Sequence, residues 1–342
     1  SEVESLQVRS STRGGHAAAA AMAMRWGQPV LNTSITEITP LGPRYRGHLV
    51  DDLIRHPGVF ENVAELLWSG VLPDNPHAWD VTPLRADVQR AIDGVTNADI
   101  RLVRVFAIAG IALGGVPLTD ELRSGSIARF SHELLLTFAG TCGVLGPRRA
   151  FLAPSRETPV AVHVLEALGV PPTEHGVRAM NAALILCADH DLGSATFAAR
   201  ISASVGAGLH ACVMAALSAH SGSALAGGCE LVENLLYDMQ SEKDVEERVR
   251  DADQRRQRLP GFGLPLYPEG DPRARHLIQL ALSIAPSSRE VELASKFVTQ
   301  VRDTISIHAN IEAGLAILAL ALGLPRRSSG AIWVIGRTAG WI

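Results

Sequence analysis

At 342 residues the chain is a little over twice the ~150 of a typical domain, which excludes a small disulfide-stapled scaffold. With 47% apolar and 19% charged residues it has enough apolar surface to offset chain entropy and reads as globular, not disordered. A formal net charge of -4 gives no overall positive field for phosphate backbones or anionic lipid, so nucleic acid and membrane surfaces are set aside as partners.

Residues 1–27 read as a leader, mobile or helical. Their apolar stretch, Ala17 to Met24, is short for a signal peptide and runs straight into Arg25, so a cytoplasmic location is expected. Strand-like alternation is scarce and helical spacing recurs, which predicts a mostly α fold. Asp51 to Leu67 reads as two helices broken at Pro57-Gly58. Helices are then predicted over Thr82–Asn97, Ile100–Leu113, Ser126–Phe138, Pro159–Leu168 and Thr173–Asp191. From Thr196 to Ala219 small residues dominate, while Phe197, Ile201, Val205, Leu209, Val213 and Leu217 recur every four positions. That pattern predicts one central helix, at a subunit contact or buried within the chain. Val232–Met239 and the solvated Val245–Gln257 follow, then a loop rich in proline and glycine over Pro260–Pro272, of a length that often carries function. Arg273–Ile284, Ser288–Ile307 and Ile311–Leu322 return to helical spacing. The longest apolar run, Ala313 to Leu324, is too short to span a bilayer. Cys142, Cys187, Cys212 and Cys229 form no CxxC pair, so neither a disulfide framework nor a metal site is expected.

Two segments carry chemistry. Ala188-Asp-His190-Asp places a histidine between two acids at a helix end, where it would stay protonatable and could hold an anion; taken singly, a capping or core role fits it as well. Loop Gly261 to Arg273 ends in Asp-Pro-Arg, whose guanidinium could grip a carboxylate with two N–H groups or merely open a surface helix.

Further stretches join these two: Tyr45-Arg-Gly-His-Leu-Val-Asp-Asp-Leu, Phe60-Glu-Asn-Val-Ala-Glu-Leu-Leu, Gly261-Phe-Gly and Ile335-Gly-Arg-Thr-Ala-Gly-Trp-Ile342. In this order and spacing, from about Gln28 to Ile342, the sequence resembles the citrate synthases. The resemblance implies an all-α homodimer of large and small helical domains that closes on an acyl-CoA and a 2-oxo dicarboxylate, then condenses the two and hydrolyses the thioester. The small domain would span 225–316, with 28–224 and 317–342 forming the large one. Carried over by position, the oxaloacetate-gripping histidine falls on His190 and the carboxylate-binding arginines on Arg273 and Arg337.

The reacting half departs from the family. Aligned through Ser221, Gly222, Glu230 and Val232, the histidine that supports the acetyl-CoA enol falls on Leu225. The ketone-polarising histidine, usually in Gly-Phe-Gly-His-Pro, falls on Leu264, and the proton-abstracting aspartate on Glu312. Leucine neither donates a hydrogen bond nor moves a proton, and each lost function costs on the order of 10² to 10⁴ in rate. His210, His220 and His308 are not spaced to replace them. Ordinary citrate synthesis is therefore not expected. The reading is an enzyme of altered chemistry that binds an oxaloacetate- or citrate-like carboxylate, with Glu312 as the remaining acid/base and an acyl-CoA as a candidate cosubstrate; no tightly bound cofactor is expected. The alternative is a non-catalytic relative that binds a metabolite and reports on it. Family chains usually run on past Gly-Trp-Ile into a tail that supplies an arginine to the partner's site.

Overall fold

The computed structural model describes residues 33–56, 58–75, 79, 83–95, 101–114, 127–155, 158–190, 192–222, 227–255 and 259–342. The leader and Leu225 lie outside the described residues. A short antiparallel sheet, β1 (Thr36–Thr39), β2 (Gly42–Tyr45) and β3 (His48–Leu49), precedes the helices, with Thr36 opposite Tyr45 and Tyr45 opposite His48. The helices that follow are α1 (Val50–Arg55), α2 (Phe60–Ser69), α3 (Ala86–Asp93), α4 (Leu102–Leu113), α5 (Ile127–Thr141), α6 (Val160–Leu168) and α7 (Glu174–Cys187). After them come α8 (Ser194–Ser204), α9 (Leu209–His220), α10 (Gly228–Tyr237), α11 (Glu242–Arg255), α12 (Pro272–Ile284), α13 (Arg289–Ile305), α14 (Ile311–Ala321) and α15 (Ser328–Trp341).

Local chemistry starts the helices that matter for the site. Thr173 caps α7 by accepting the Gly176 N–H at 3.2 Å; Asp271 caps α12, with Pro272 at its first position, and Asn310 caps α14. The helix α7 is apolar nearly all round, from Ala179 to Cys187, and is accordingly buried among α2, α6, α12 and α15. Its approach to α15 is close enough that a Cβ on Gly336 would sit 2.7 Å from the Cys187 Cβ and from the Leu184 carbonyl oxygen. That contact brings the last helix against the end of α7, where Asp189 and His190 follow.

The single helix expected over Thr196–Ala219 is instead two, α8 and α9, packed on one another with a turn between them. Gly206, at φ +81°, takes the left-handed conformation that reverses the chain. The four-residue recurrence runs unbroken across the turn because Val205 and Leu209 flank it, so periodicity alone hid the break. Val205 is 80% exposed, as is much of Ile201 on the same helix pair and Ile111 on α4. No helix among the described residues is long and apolar enough to cross a membrane.

Candidate active site

The chain leaves α7 into a buried polar knot. The Tyr45 ring, wholly enclosed, places its hydroxyl 3.0 and 2.8 Å from the Ile185 and Asp189 carbonyl oxygens, and that oxygen accepts the Asp189 N–H at 3.2 Å. Thr36 of β1 donates its hydroxyl to the Asp189 carboxylate. The other carboxylate oxygen of Asp189 pairs with Arg337 Nη1, while Arg337 Nη2 donates to the His190 carbonyl at 3.0 Å and to Thr196 Oγ1 at 2.8 Å. The small sheet thus fixes the residue that fixes Arg337.

Arg273 stands in the first turn of α12. Its Nε and Nη2 donate to the two oxygens of Asp271 at 3.0 and 2.8 Å, a fork-on-fork pair with side chains 5% and 0% exposed. Asp271 also accepts the backbone N–H of Arg273 at 3.0 Å and of Ile311 at 3.1 Å, so one carboxylate ties the starts of α12 and α14 together. The Arg273 guanidinium lies over the Tyr267 ring, 5.8 Å from its centroid, and the Tyr267 hydroxyl is 3.3 Å from His190 Nε2.

The structure brings His190 near both Arg337, which bonds its carbonyl, and Arg273, with which it shares Tyr267. Burial, and then the Arg273 and Arg337 charges, hold the His190 imidazole well below its usual pKa, so it is neutral. The expectation of a histidine kept protonatable by flanking acids is overturned: Asp189 is committed to Arg337, Thr36 and Tyr45, and two cations face the ring. Asp191 lies outside the described residues. Neither guanidinium is an open fork, since each is braced by a carboxylate, although Arg273 keeps three N–H donors beyond the two that Asp271 takes.

Glu312 enters from the first turn of α14, its backbone N–H held by Asn310 Oδ1 at 2.9 Å. Its carboxylate lies against the start of α10, so close that a Cβ on Gly228 would fall 2.1 Å from Oε1. Two helix N-termini thus meet at this carboxylate, where their dipoles favour negative charge. Neighbouring thiols keep their protons. Burial, and secondarily Glu312, push Cys229 well up, and burial raises Cys187 to about 12.

The loop bearing Leu264 is stitched to the segment that leads into α14 and Glu312. The Gly263 N–H donates to the His308 carbonyl and the Asn310 N–H to the Gly261 carbonyl, both at 2.8 Å. Leu264 is half-buried in this loop. Elsewhere, the His220 ring stacks on Trp333 with centroids 4.2 Å apart; burial, and then Arg337, lower its pKa to about 4. His210 packs against Phe130, remote in sequence from the motifs, and its Nε2 is buried without a partner. Among the described residues no group of three histidine, cysteine or acidic side chains is arranged to hold a metal ion.

The family model for the citrate synthase C-terminal domain matches residues 23–342. The chain belongs to the citrate synthase family. It is 25% identical over 325 residues to citrate synthase 2 of Bacillus subtilis, covering 91% of this chain and 87% of that one. It is likewise 25% identical over 335 residues to 2-methylcitrate synthase 1 of Corynebacterium glutamicum, covering 90% and 86%. Among solved structures, citrate synthase from Thermoplasma acidophilum, in a ternary complex with carboxymethyl coenzyme A and oxaloacetate, superposes with a TM-score of 0.78 at 22% identity, over 92% of this chain and 89% of that one. Citrate synthase from Thermotoga maritima gives 0.71 at 24% identity, over 92% and 88%. The mostly helical citrate synthase fold is thereby established.

Three residues that brace this candidate site escaped sequence reasoning, Tyr45, Tyr267 and Asp271, while Asp189 is read from sequence only as an acid flanking His190. Asp271 had a readable signal, because aspartate, proline and arginine in succession spell a helix cap, a first helical position and a side chain able to fold back on the cap. Tyr267, three positions after Leu264 in the loop, had none beyond its place in the motif.

Proposed function

We propose that this citrate synthase-family chain is an enzyme of altered chemistry that binds a small di- or tricarboxylate, of the oxaloacetate or citrate kind, between His190, Arg273 and Arg337, with Glu312 as its acid/base. One observation carries the reading: two buried guanidiniums, drawn from α12 and α15, flank a neutral imidazole, and each is held in place by its own carboxylate. Donors fixed before the ligand arrives lose little side-chain entropy on binding, and a dianion offers each a charge-assisted contact worth roughly 1.5–3 kcal/mol.

Glu312 fits the role of base by position, at the junction of α10 and α14 beside the Leu264 loop. Leu264 and Leu225 stand where the family's two proton-handling histidines are expected, so the substrate must supply its own activating group. The relatives named citrate synthase and 2-methylcitrate synthase support an acyl-CoA as cosubstrate. So does the Thermoplasma acidophilum complex with carboxymethyl coenzyme A and oxaloacetate. The working unit in this reading is a cytoplasmic homodimer formed through the α8–α9 pair, whose Ile201 and Val205 are exposed in the single chain. In this reading residues 225–316 close as a small domain over the rest.

The test is free thiol release from acetyl-CoA plus oxaloacetate, run beside a thermal-shift screen of oxaloacetate, citrate, other 2-oxo acids and acyl-CoAs. A raised melting temperature with a carboxylate, and no thiol release at rates near the ~10 s⁻¹ enzyme median, is the expected pair of results. Rapid citrate formation would overturn the altered chemistry. A carboxylate that binds while no acyl-CoA does would favour a metabolite-reporting role.

A further inference from the structure

The two arginines of the proposed pocket are fixed in different ways. Asp271 grips Arg273 with both carboxylate oxygens, and two parallel bonds from one carboxylate set the plane of that guanidinium by themselves. Asp189 meets Arg337 through Nη1 with one oxygen, the other oxygen taking the Thr36 hydroxyl. A single bond of this kind leaves a planar group able to pivot about it. Among the described residues, what stops the pivot is Nη2, which donates to the His190 carbonyl at 3.0 Å and to Thr196 Oγ1 at 2.8 Å. Asp189 and the His190 carbonyl are neighbours in the chain and move together. Thr196 stands in the first turn of α8, a separate element, and so supplies the independent third point that a plane requires. In the sequence Thr196 reads only as the first of a run of small residues.

We infer that Thr196 is a positioning residue: by holding Arg337 Nη2, its hydroxyl oxygen sets the plane in which the guanidinium meets a bound carboxylate, and thereby sets ligand affinity without touching the ligand. The inference rests on the carboxylate pocket proposed above. A fork contact between guanidinium and carboxylate is demanding in angle as well as in distance. A guanidinium that swings must be ordered again when the ligand arrives, at an entropic cost that one already held in place does not carry. The effect therefore falls on binding.

The experiment joins calorimetry of oxaloacetate binding with nitrogen-15 spectra of the full chain labelled at arginine, for the parent, Thr196→Val and Thr196→Ser. Valine keeps the branched shape and removes the acceptor oxygen; serine keeps the oxygen and removes the methyl group. Oxaloacetate affinity is expected to fall about tenfold in Thr196→Val and to stay within about twofold of the parent in Thr196→Ser. In the ligand-free parent the Nη groups of Arg337, identified by their loss in Arg337→Gln, should give the resolved signals of a slowly rotating guanidinium. Those signals should merge in Thr196→Val and persist in Thr196→Ser. Parent-like affinity in Thr196→Val, or equal weakening by both variants, overturns the inference and leaves the pocket standing. If Thr196→Val does not fold, Thr196→Ala removes the same oxygen with a residue that suits a helix, and the same results are expected of it. No oxaloacetate binding by the parent, or equal binding by parent and Arg337→Gln, overturns the pocket itself. The Arg337 signals need no ligand, so they report separately whether Thr196 holds the guanidinium.

Discussion

Replacing Asp271 with alanine removes one carboxylate that receives four N–H groups: three from Arg273 and one from Ile311, at 2.8–3.1 Å. The pair with Arg273 is buried on both sides, so cutting it from one side leaves a guanidinium without its counter-charge, at about 3–5 kcal/mol. The same carboxylate caps α12, a contribution of about 1 kcal/mol that overlaps the first because the oxygens are shared. Roughly 4 kcal/mol is thus expected to be lost, a large part of the ~5–15 kcal/mol that holds an ordinary domain together. At about 2 °C per kcal/mol for a chain of this size, the melting midpoint should fall by roughly 8 °C. Asp271→Asn keeps a cap and an acceptor but no charge, and should fall between the two. Thermal melts followed by circular dichroism at pH 7 measure all three. A midpoint for Asp271→Ala within ~2 °C of the parent would refute the claim that this carboxylate braces the site.

Glu312→Gln should abolish turnover and spare carboxylate affinity, because it keeps shape and removes the proton acceptor; parallel kinetics and calorimetry check this, and unchanged turnover counts against the base. Acid should destabilise the fold. His163, His210 and His220 are pushed to about 4, chiefly by burial, and His190 well below its usual value, so between pH 6.5 and 4 the unfolded chain binds protons that the folded chain refuses. Stability then falls as pH drops through that window, by up to about 1.4 kcal/mol per histidine per pH unit below ~6, and the slope from these groups fades above ~7.5. Denaturant midpoints at pH 7.5, 6 and 5 read the effect, and a flat profile to pH 5 would contradict it. For assembly, Val205→Glu should convert a sedimenting dimer to monomer at micromolar concentration. A parent chain that is already monomeric would remove the proposed α8–α9 interface.

The parts of this molecule legible in its sequence are those set by local rules. Helix periods and caps locate α2, α4, α6, α7, α12 and α14 to within a few residues, since Thr173, Asp271 and Asn310 announce their own helix starts. The α8–α9 turn was hidden because its glycines interrupt a spacing that the apolar residues continue. The sheet was missed because its strands are two to four residues long, too short for alternation to register. Site positions were legible as motifs, but their charge states were not. Whether His190 is charged depends on where Arg273, 83 positions later in the chain, and Arg337, 147 later, finally stand. That Asp189 braces Arg337 while Thr36 and Tyr45 hold Asp189 is likewise a tertiary fact, spread over three distant segments.

The central claim is that Arg337 and Arg273 form a pocket for a small dianion, and calorimetry of oxaloacetate binding to the parent chain and to Arg337→Gln tests it most directly. Glutamine keeps hydrogen-bond donors near Asp189 and Thr196 but removes the charge. One site per chain in the parent, weakened about tenfold or more in the variant, is the predicted result. Oxaloacetate binding of equal strength in both proteins would contradict the account and leave the resemblance describing only the fold.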